Sequence, residues 1–297
     1  MQVEQILVST LILTTPILLA AIGGLVNRQA GIVNIGLEAK MLSGAFVAVI
    51  VSSATQSWFI ACLAAALSSA VIGWMFSLTI TRAHANMIVA GLGLNILVAG
   101  VLGFILSWVY KTSGTLRQPD VVLLPDVLPE FFEKIPVIGP ALSSLDPLTI
   151  FAWITVFCLP FVLTNTRIGL WIRATGNAPH VTRAVGLRSL AIQDASTAFA
   201  GFFAGLAGAH LALASLGLFN EGLTAGRGFI ALAAFYFGRD RPIQTAMACL
   251  LFGFLDNTQI RLQTAGFPPK LIGMTPYLMV LLALIFTSVR AQRKARL

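Results

Sequence analysis

Apolar blocks long enough to cross a membrane recur from end to end of this chain, and its arginines and lysines fall in alternate gaps between them. Mostly uncharged runs occupy 5–26, 41–60, 61–81, 85–110, 147–166, 195–219, 242–255 and 274–289. A hydrocarbon core about 30 Å thick is crossed by about 20 apolar residues of helix, so several of these runs qualify as spans. Basic residues gathered in alternate gaps are the bias that orients a multi-span protein. The expected fold is all-α: a polytopic transmembrane helical bundle with about nine crossings (eight to ten), including a short or broken helix near 220–238. Charged residues are only 10% of the chain, against about 25% in soluble domains, and 1–297 reads as a single transmembrane domain. A net charge of +8 would suggest nucleic acid in a soluble protein. Beside membrane spans it suggests anionic lipids instead, so membrane lipids and no nucleic acid are the expected partners. The first run follows Glu4 without a preceding Lys or Arg, which reads as a retained span rather than a signal peptide.

Orientation follows from parity. With the basic tail Arg290, Arg293, Lys294 and Arg296 inside, Arg261 and Lys270 fall outside, and Arg239 and Arg241 inside. The stretch from Glu221 to Gly238 decides the rest. If it only dips into the membrane, the basic 167–190 loop is forced outside. If it crosses, the inner side carries twelve basic residues and the outer side five: Lys111, Arg117, Lys134, Arg261 and Lys270. Crossing is the expectation, with the amino terminus outside and the carboxyl terminus cytoplasmic. The 111–146 loop is then extracytoplasmic and the 167–190 loop cytoplasmic. Prolines at 119, 125, 129, 136, 140 and 147 block a long helix in the outer loop, which suggests a short structured cap.

Several chemistries lack their residues. There is no G-x-x-x-x-G-K-[ST] phosphate loop and no Gly-Lys dipeptide anywhere, so ATP hydrolysis by this chain is not expected. His84, His180 and His210 lie far apart, and Cys62, Cys158 and Cys249 sit singly in apolar runs, without metal or disulfide spacing. No catalytic residue, metal site or cofactor is expected in the chain. Overlapping small-xxx-small pairs (Gly201–Gly205, Ala204–Gly208, Gly205–Ala209, and Ala65, Ser69, Gly73) mark helix faces that let backbones approach closely.

In the inner loop, R-A-T-G-N-A-P-H-V-T-R-A-V-G-L spans 173–187. Asn177 is placed to cap a short helix, with Pro179 in its first turn and Gly186 as its stop. Val181, Ala184 and Val185 then form an apolar patch, giving either a docking peg or an ordinary solvated loop. This segment resembles the coupling loop of permease subunits from binding-protein-dependent ABC importers, in the branched-chain amino acid and simple-sugar superfamily. Two further motifs, G-I-V-N-I-G-L-E-A-K-M-L-S-G-A-F at 31–46 and G-R-G-F-I-A-L-A-A at 226–234, are similar to signatures of its nucleoside-type branch. Ala39-Lys40 departs from the glycine and neutral residue usual there. The resemblance covers essentially the whole chain.

It implies a permease forming half of a translocation path for a nucleoside, in the plasma (bacterial inner) membrane. The implied partners are an ATP-binding cassette subunit that binds the ATP, a second permease subunit (non-identical or identical), an extracytoplasmic solute-binding protein and a small-molecule solute. Gly176, Asn177, Pro179, His180, Val181, Arg183 and Gly186 would couple to the ATPase. Candidate path residues are Asn34, Glu38, Asn95, Arg227, Phe229 and Asp256. Asn34 and Glu38 share a helix face, and a carboxylate at membrane depth is a functional-site suspect. Glu38 serves either solute contact or structural hydrogen bonding, neutralised by Lys40 or a partner helix. Asn95 serves either helix packing or a sugar hydroxyl or base edge. Phe229 is placed to stack on a flat solute, Arg227 to pair with Glu221, and Asp256 with Asn257 to line a vestibule or reach the headgroups. The alternatives are the same machinery importing a sugar or other small polar solute, and a stand-alone secondary carrier.

Overall fold

The computed structural model describes residues 2–126 and 145–264. The run 274–289 and residues 127–144 of the outer loop lie outside the described residues. In chain order the helices are α1 (Gln2–Gln29), α2 (Leu37–Thr55), α3 (Trp58–Thr81), α4 (Met87–Trp108), α5 (Pro147–Asn165), α6 (Arg167–Asn177), α7 (Pro179–Ala184), α8 (Ser189–Leu213), α9 (Arg227–Phe237) and α10 (Pro242–Thr264). Among the described residues, α1 to α5 and α8 are long and apolar enough to cross a membrane. Helix α10 is of similar length, but its second half carries Asp256, Asn257 and Arg261. The chain is thus a polytopic helical membrane protein.

Local chemistry sets the boundaries. The Asn86 side chain accepts from the Ile88 and Val89 amides to start α4. Asp146 does the same for Leu148 and Thr149 at α5, where Pro147 occupies the first helical position, so amides that the helix leaves orphaned gain acceptors. Helix α8 sits at the centre, packed on α1, α2 and α3. Its Gly201 lies on the backbone of Ser69 and Ala70, and Gly205 on Ala65. The small-residue stripes read on α8 and α3 therefore face each other, and a Cβ at either glycine would push the helices apart.

The fold is not purely helical. Strand β1 (Thr115–Arg117) pairs antiparallel with β2 (Leu218–Asn220), with Leu116 opposite Phe219. Both of those side chains are buried while their strand neighbours turn away, the period-two pattern of a strand. Three residues each are too few to stand out as alternation beside long apolar runs.

Loop contacts sort the ends of the helices onto two faces. On one, Arg28 binds Asp240 at 2.7 Å, Arg82 binds Asp194 at 3.0 Å, and Gln193 donates to the Ala30 carbonyl. We call this the basic face. On the other, the β1–β2 ribbon is joined by Ser52 Oγ, which donates to the Val122 carbonyl, and by the Leu124 amide, which donates to Leu213. The stretch from β2 to Asp240 starts on the ribbon face and ends on the basic face, so it traverses the bundle instead of returning. It does so as turns at 221–226 followed by an 11-residue helix about 16 Å long.

Candidate functional site

Two broken segments meet inside the bundle. Residues 32–36 are not helical, and α2 begins only at Leu37. Residues 221–226 are likewise turns, and α9 begins at Arg227 after Gly226 in the left-handed region, φ 77°. A fresh helix N-terminus presents amides without intrahelical partners. At α9 the acceptor is Glu38: its carboxylate takes the Gly226 amide at 2.9 Å and the Gly228 amide at 2.7 Å. A carboxylate at a helix N-terminus is favoured by charge-assisted bonds and by the dipole. The approach requires glycine at 228, where a Cβ would sit 2.6 Å from the Glu38 amide nitrogen.

The α2 end is held from α4. Asn95 Oδ1 accepts from the Ala39 amide at 3.0 Å, and its Nδ2 donates to the Ile35 carbonyl at 3.2 Å. Gly91, one turn earlier, lets Ile35 and Gly36 pass close to α4. The two 31–46 and 226–234 motifs thus converge with 91–95 on one junction, where the start of α2 meets the start of the short helix α9. Broken backbone of this kind is tolerated at membrane depth where protein surrounds it.

The remaining polar residues lie around this junction in unequal ways. Lys40 is fully buried. Its Nζ donates to Asn34 Oδ1 at 2.6 Å and lies 4.3 Å from the Phe76 ring centroid. Lys40 therefore pins the unwound 32–36 segment to α2 and is not the partner of Glu38, whose bonds go to the α9 backbone. Arg227 pairs with Asp256 at 3.2 Å, both largely buried, and not with Glu221, whose carboxylate lies beside Gly103 of α4. Asp256 and Asn257 point inward: Asn257 bonds the Ile6 carbonyl and Thr10 of α1. Phe229 is 41% exposed, the most open of the six candidate path residues.

The 173–187 segment lies on the basic face. Helix α6 ends at Asn177, and the residue preceding α7 is Ala178, with no side-chain cap. The expected Asn177 cap is thus absent, because α6 carries the chain in helical geometry one residue too far. Pro179 does occupy the first turn of α7. Gly186 stops it at φ 84°: its amide bonds the Arg183 carbonyl, and the Leu187 amide bonds Thr182, a Schellman closure. Val181 and Val185 are exposed, Thr182 is buried, and Arg183 bonds His180 at 2.9 Å. Gly176 rests on the backbone of Gln29 and Gly31. A contact path therefore runs from α7 through α6 to the end of α1, then along residues 32–36 to Glu38 and α9.

A second buried polar cluster escaped sequence reasoning because its members lie far apart in the chain. His210 Nε2 lies 3.0 Å from Asp146 Oδ2, and Thr149 donates to the same oxygen while bonding Thr15 of α1. Burial pushes the Asp146 carboxyl up, but its contact with His210 and the bonds from Thr149 outweigh it and hold the group below its ordinary range. It ties α5, α8 and α1 together on the ribbon side.

Comparison with known proteins bears on the whole chain. It is 32% identical over 292 residues to the nucleoside ABC transporter permease protein NupC of Lactococcus lactis subsp. cremoris, covering 95% of this chain and 91% of that one. It is 30% identical to the guanosine ABC transporter permease protein NupQ of Bacillus subtilis, covering 95% and 92%. The glucose ABC transporter permease protein TsgB13 of Haloferax volcanii is 25% identical, covering 93% and 75%. No solved structure matches the chain. The family model described as branched-chain amino acid transport system, permease component, matches residues 6–286. With these relatives and six helices among the described residues long and apolar enough to cross a membrane, the chain belongs to that family of ABC transporter permeases.

Proposed function

We propose that this chain is half of the translocation path of an ABC importer for nucleosides, driven by a separate ATPase. The contact path from the α7 peg through Gly176 to the Glu38 junction carries the proposal. A push on α7 is passed to α1 and to the unwound 32–36 segment, whose movement changes the register between the starts of α2 and α9. That is alternating access by rocking of packed elements around a fixed site. In this reading the basic face is cytoplasmic, which puts the anionic inner leaflet against the larger share of the arginines. The chain crosses nine times, with 111–146 outside and 167–190 inside.

Glu38 and Asn95 position the junction, since their bonds go to the backbone of α9 and of 35–39. Asn34 holds Lys40 through Oδ1 and keeps a buried Nδ2 without a partner among the described residues. Phe229 offers the ring for a flat solute. The machinery also needs a second permease subunit, identical or not, to close the path, and an extracytoplasmic binding protein to deliver solute. Nucleoside cargo rests on the likeness to NupC and NupQ, whereas the likeness to TsgB13 supports a sugar as the second reading.

Uptake of labelled nucleosides and glucose by cells with and without this chain tests the cargo. Loss of nucleoside uptake alone is expected, and loss of glucose uptake alone overturns the nucleoside assignment. Co-purification tests the machinery, since a stand-alone carrier comes out without an ATP-binding subunit.

A further inference from the structure

We infer that the cleft between α5, α6 and α8 holds one acyl chain of an anionic phospholipid, with Arg188 at its mouth receiving the headgroup. The cleft has a volume of about 510 Å³ and an almost wholly apolar lining that includes Leu163, Trp171 and Ile192. It shares Leu159, Val162 and Phe199 with a second apolar cleft of about 520 Å³ that continues to Phe151 and Phe203. From Leu163 to Phe151 along α5 is about 18 Å at 1.5 Å per residue, slightly more than half of a hydrocarbon core about 30 Å thick. The groove therefore has the length of one leaflet and starts at the basic face.

Its mouth carries the matching headgroup chemistry. Arg188 is exposed, and its guanidinium makes no hydrogen bond or ion pair among the described residues. Trp171 of amphipathic α6 lines the same end, where aromatic rings settle at membrane interfaces. A tail gains nothing hydrophobic by leaving bilayer for groove, because lipid tails are as apolar as the lining. Selection among lipids must then come from charge, and a basic residue near an anionic surface is worth roughly a fivefold preference. The inference does not depend on cargo or on which face is cytoplasmic.

Quenching of Trp171 by lipids brominated on the acyl chain tests it. The full chain, with Trp58, Trp74, Trp108 and Trp153 replaced by Phe, is reconstituted in symmetric vesicles. These hold either brominated phosphatidylglycerol in phosphatidylcholine or the reverse. Stronger quenching by the brominated phosphatidylglycerol is expected. The preference should fall roughly fivefold in Arg188→Gln and vanish in Ala195→Phe, which fills the groove. Equal quenching by both lipids, or an unchanged preference in Arg188→Gln, overturns the inference. So does a Trp171 shielded from both lipids, which means that protein occupies the cleft. Native mass spectrometry of the unmodified chain covers misfolding of the single-Trp protein: phosphatidylglycerol retained equally by wild type and Arg188→Gln also overturns it.

Discussion

Glu38 shows how one side chain makes two broken segments affordable inside a membrane protein. It accepts from both the Gly226 and Gly228 amides, so Glu38→Ala leaves two donors without acceptors, at about 1–3 kcal/mol each. Glu38→Gln keeps one carbonyl oxygen and should lose less. The expected order of thermal stability in detergent is wild type, then Gln, then Ala, with transport falling in the same order. An alanine variant as stable as wild type would remove Glu38 from the junction. Lys40 makes the opposite case. Replacing both members of a buried polar pair by apolar residues is often neutral or stabilising, so the double variant Lys40→Met with Asn34→Leu should leave the melting temperature unchanged or raised. Asn34→Leu alone leaves the buried Lys40 amino group with only the Phe76 face, and should cost about 1–3 kcal/mol. Equal melting temperatures for the two variants would refute that pairing. Glu38 was recognisable from sequence as a membrane-depth carboxylate. Its partners were not, because backbone amides carry no residue identity, and Lys40 was as good a candidate neutraliser until the fold sent it to Asn34.

At the scale of elements, α7 is a six-residue helix too short to persist on its own helical propensity. Its ends and its seat on the basic face define it. Pro179 and Gly186 were legible as start and stop because their backbone restrictions are intrinsic to the residue. The capping role expected of Asn177 failed because a cap depends on where the preceding helix ends, and α6 runs on through Asn177. Gly186→Pro forces a negative φ where the chain needs φ 84° and removes the amide that bonds Arg183. Arg183→Glu instead keeps the helix and reverses the charge beside the exposed Val181 and Val185. Both variants should insert normally yet lose coupled transport and co-purification of the ATP-binding subunit. Normal transport by both would dismiss α7 as the docking element. The β1–β2 ribbon lay beyond pattern reading for a related reason: pairing partners a hundred residues apart become neighbours only once α8 is placed.

At the scale of the whole molecule, the charge pattern and the contacts give independent arguments for one arrangement. The charge count favours a 221–238 crossing because it leaves twelve basic residues on one side and five on the other. The contacts favour it because β2 lies with β1 while Asp240 lies with Arg28. A positive-inside bias orients a protein through the loops flanking its spans, so the face carrying Arg28, Arg82 and α7 should be the cytoplasmic one. Single cysteines placed on each face test this in a background where Cys62, Cys158 and Cys249 are replaced by alanine. His180→Cys, on the exposed surface of α7, should react with a membrane-impermeant maleimide only after cells are permeabilised. Asp120→Cys, beside the ribbon, should react in intact cells. If His180→Cys is labelled from outside, the motor cannot reach the α7 peg, and the contact path from α7 to Glu38 loses its proposed role. If both positions label from outside, α5 does not carry the chain across a bilayer between them, and the two faces defined by Arg28–Asp240 and β1–β2 do not belong to opposite sides.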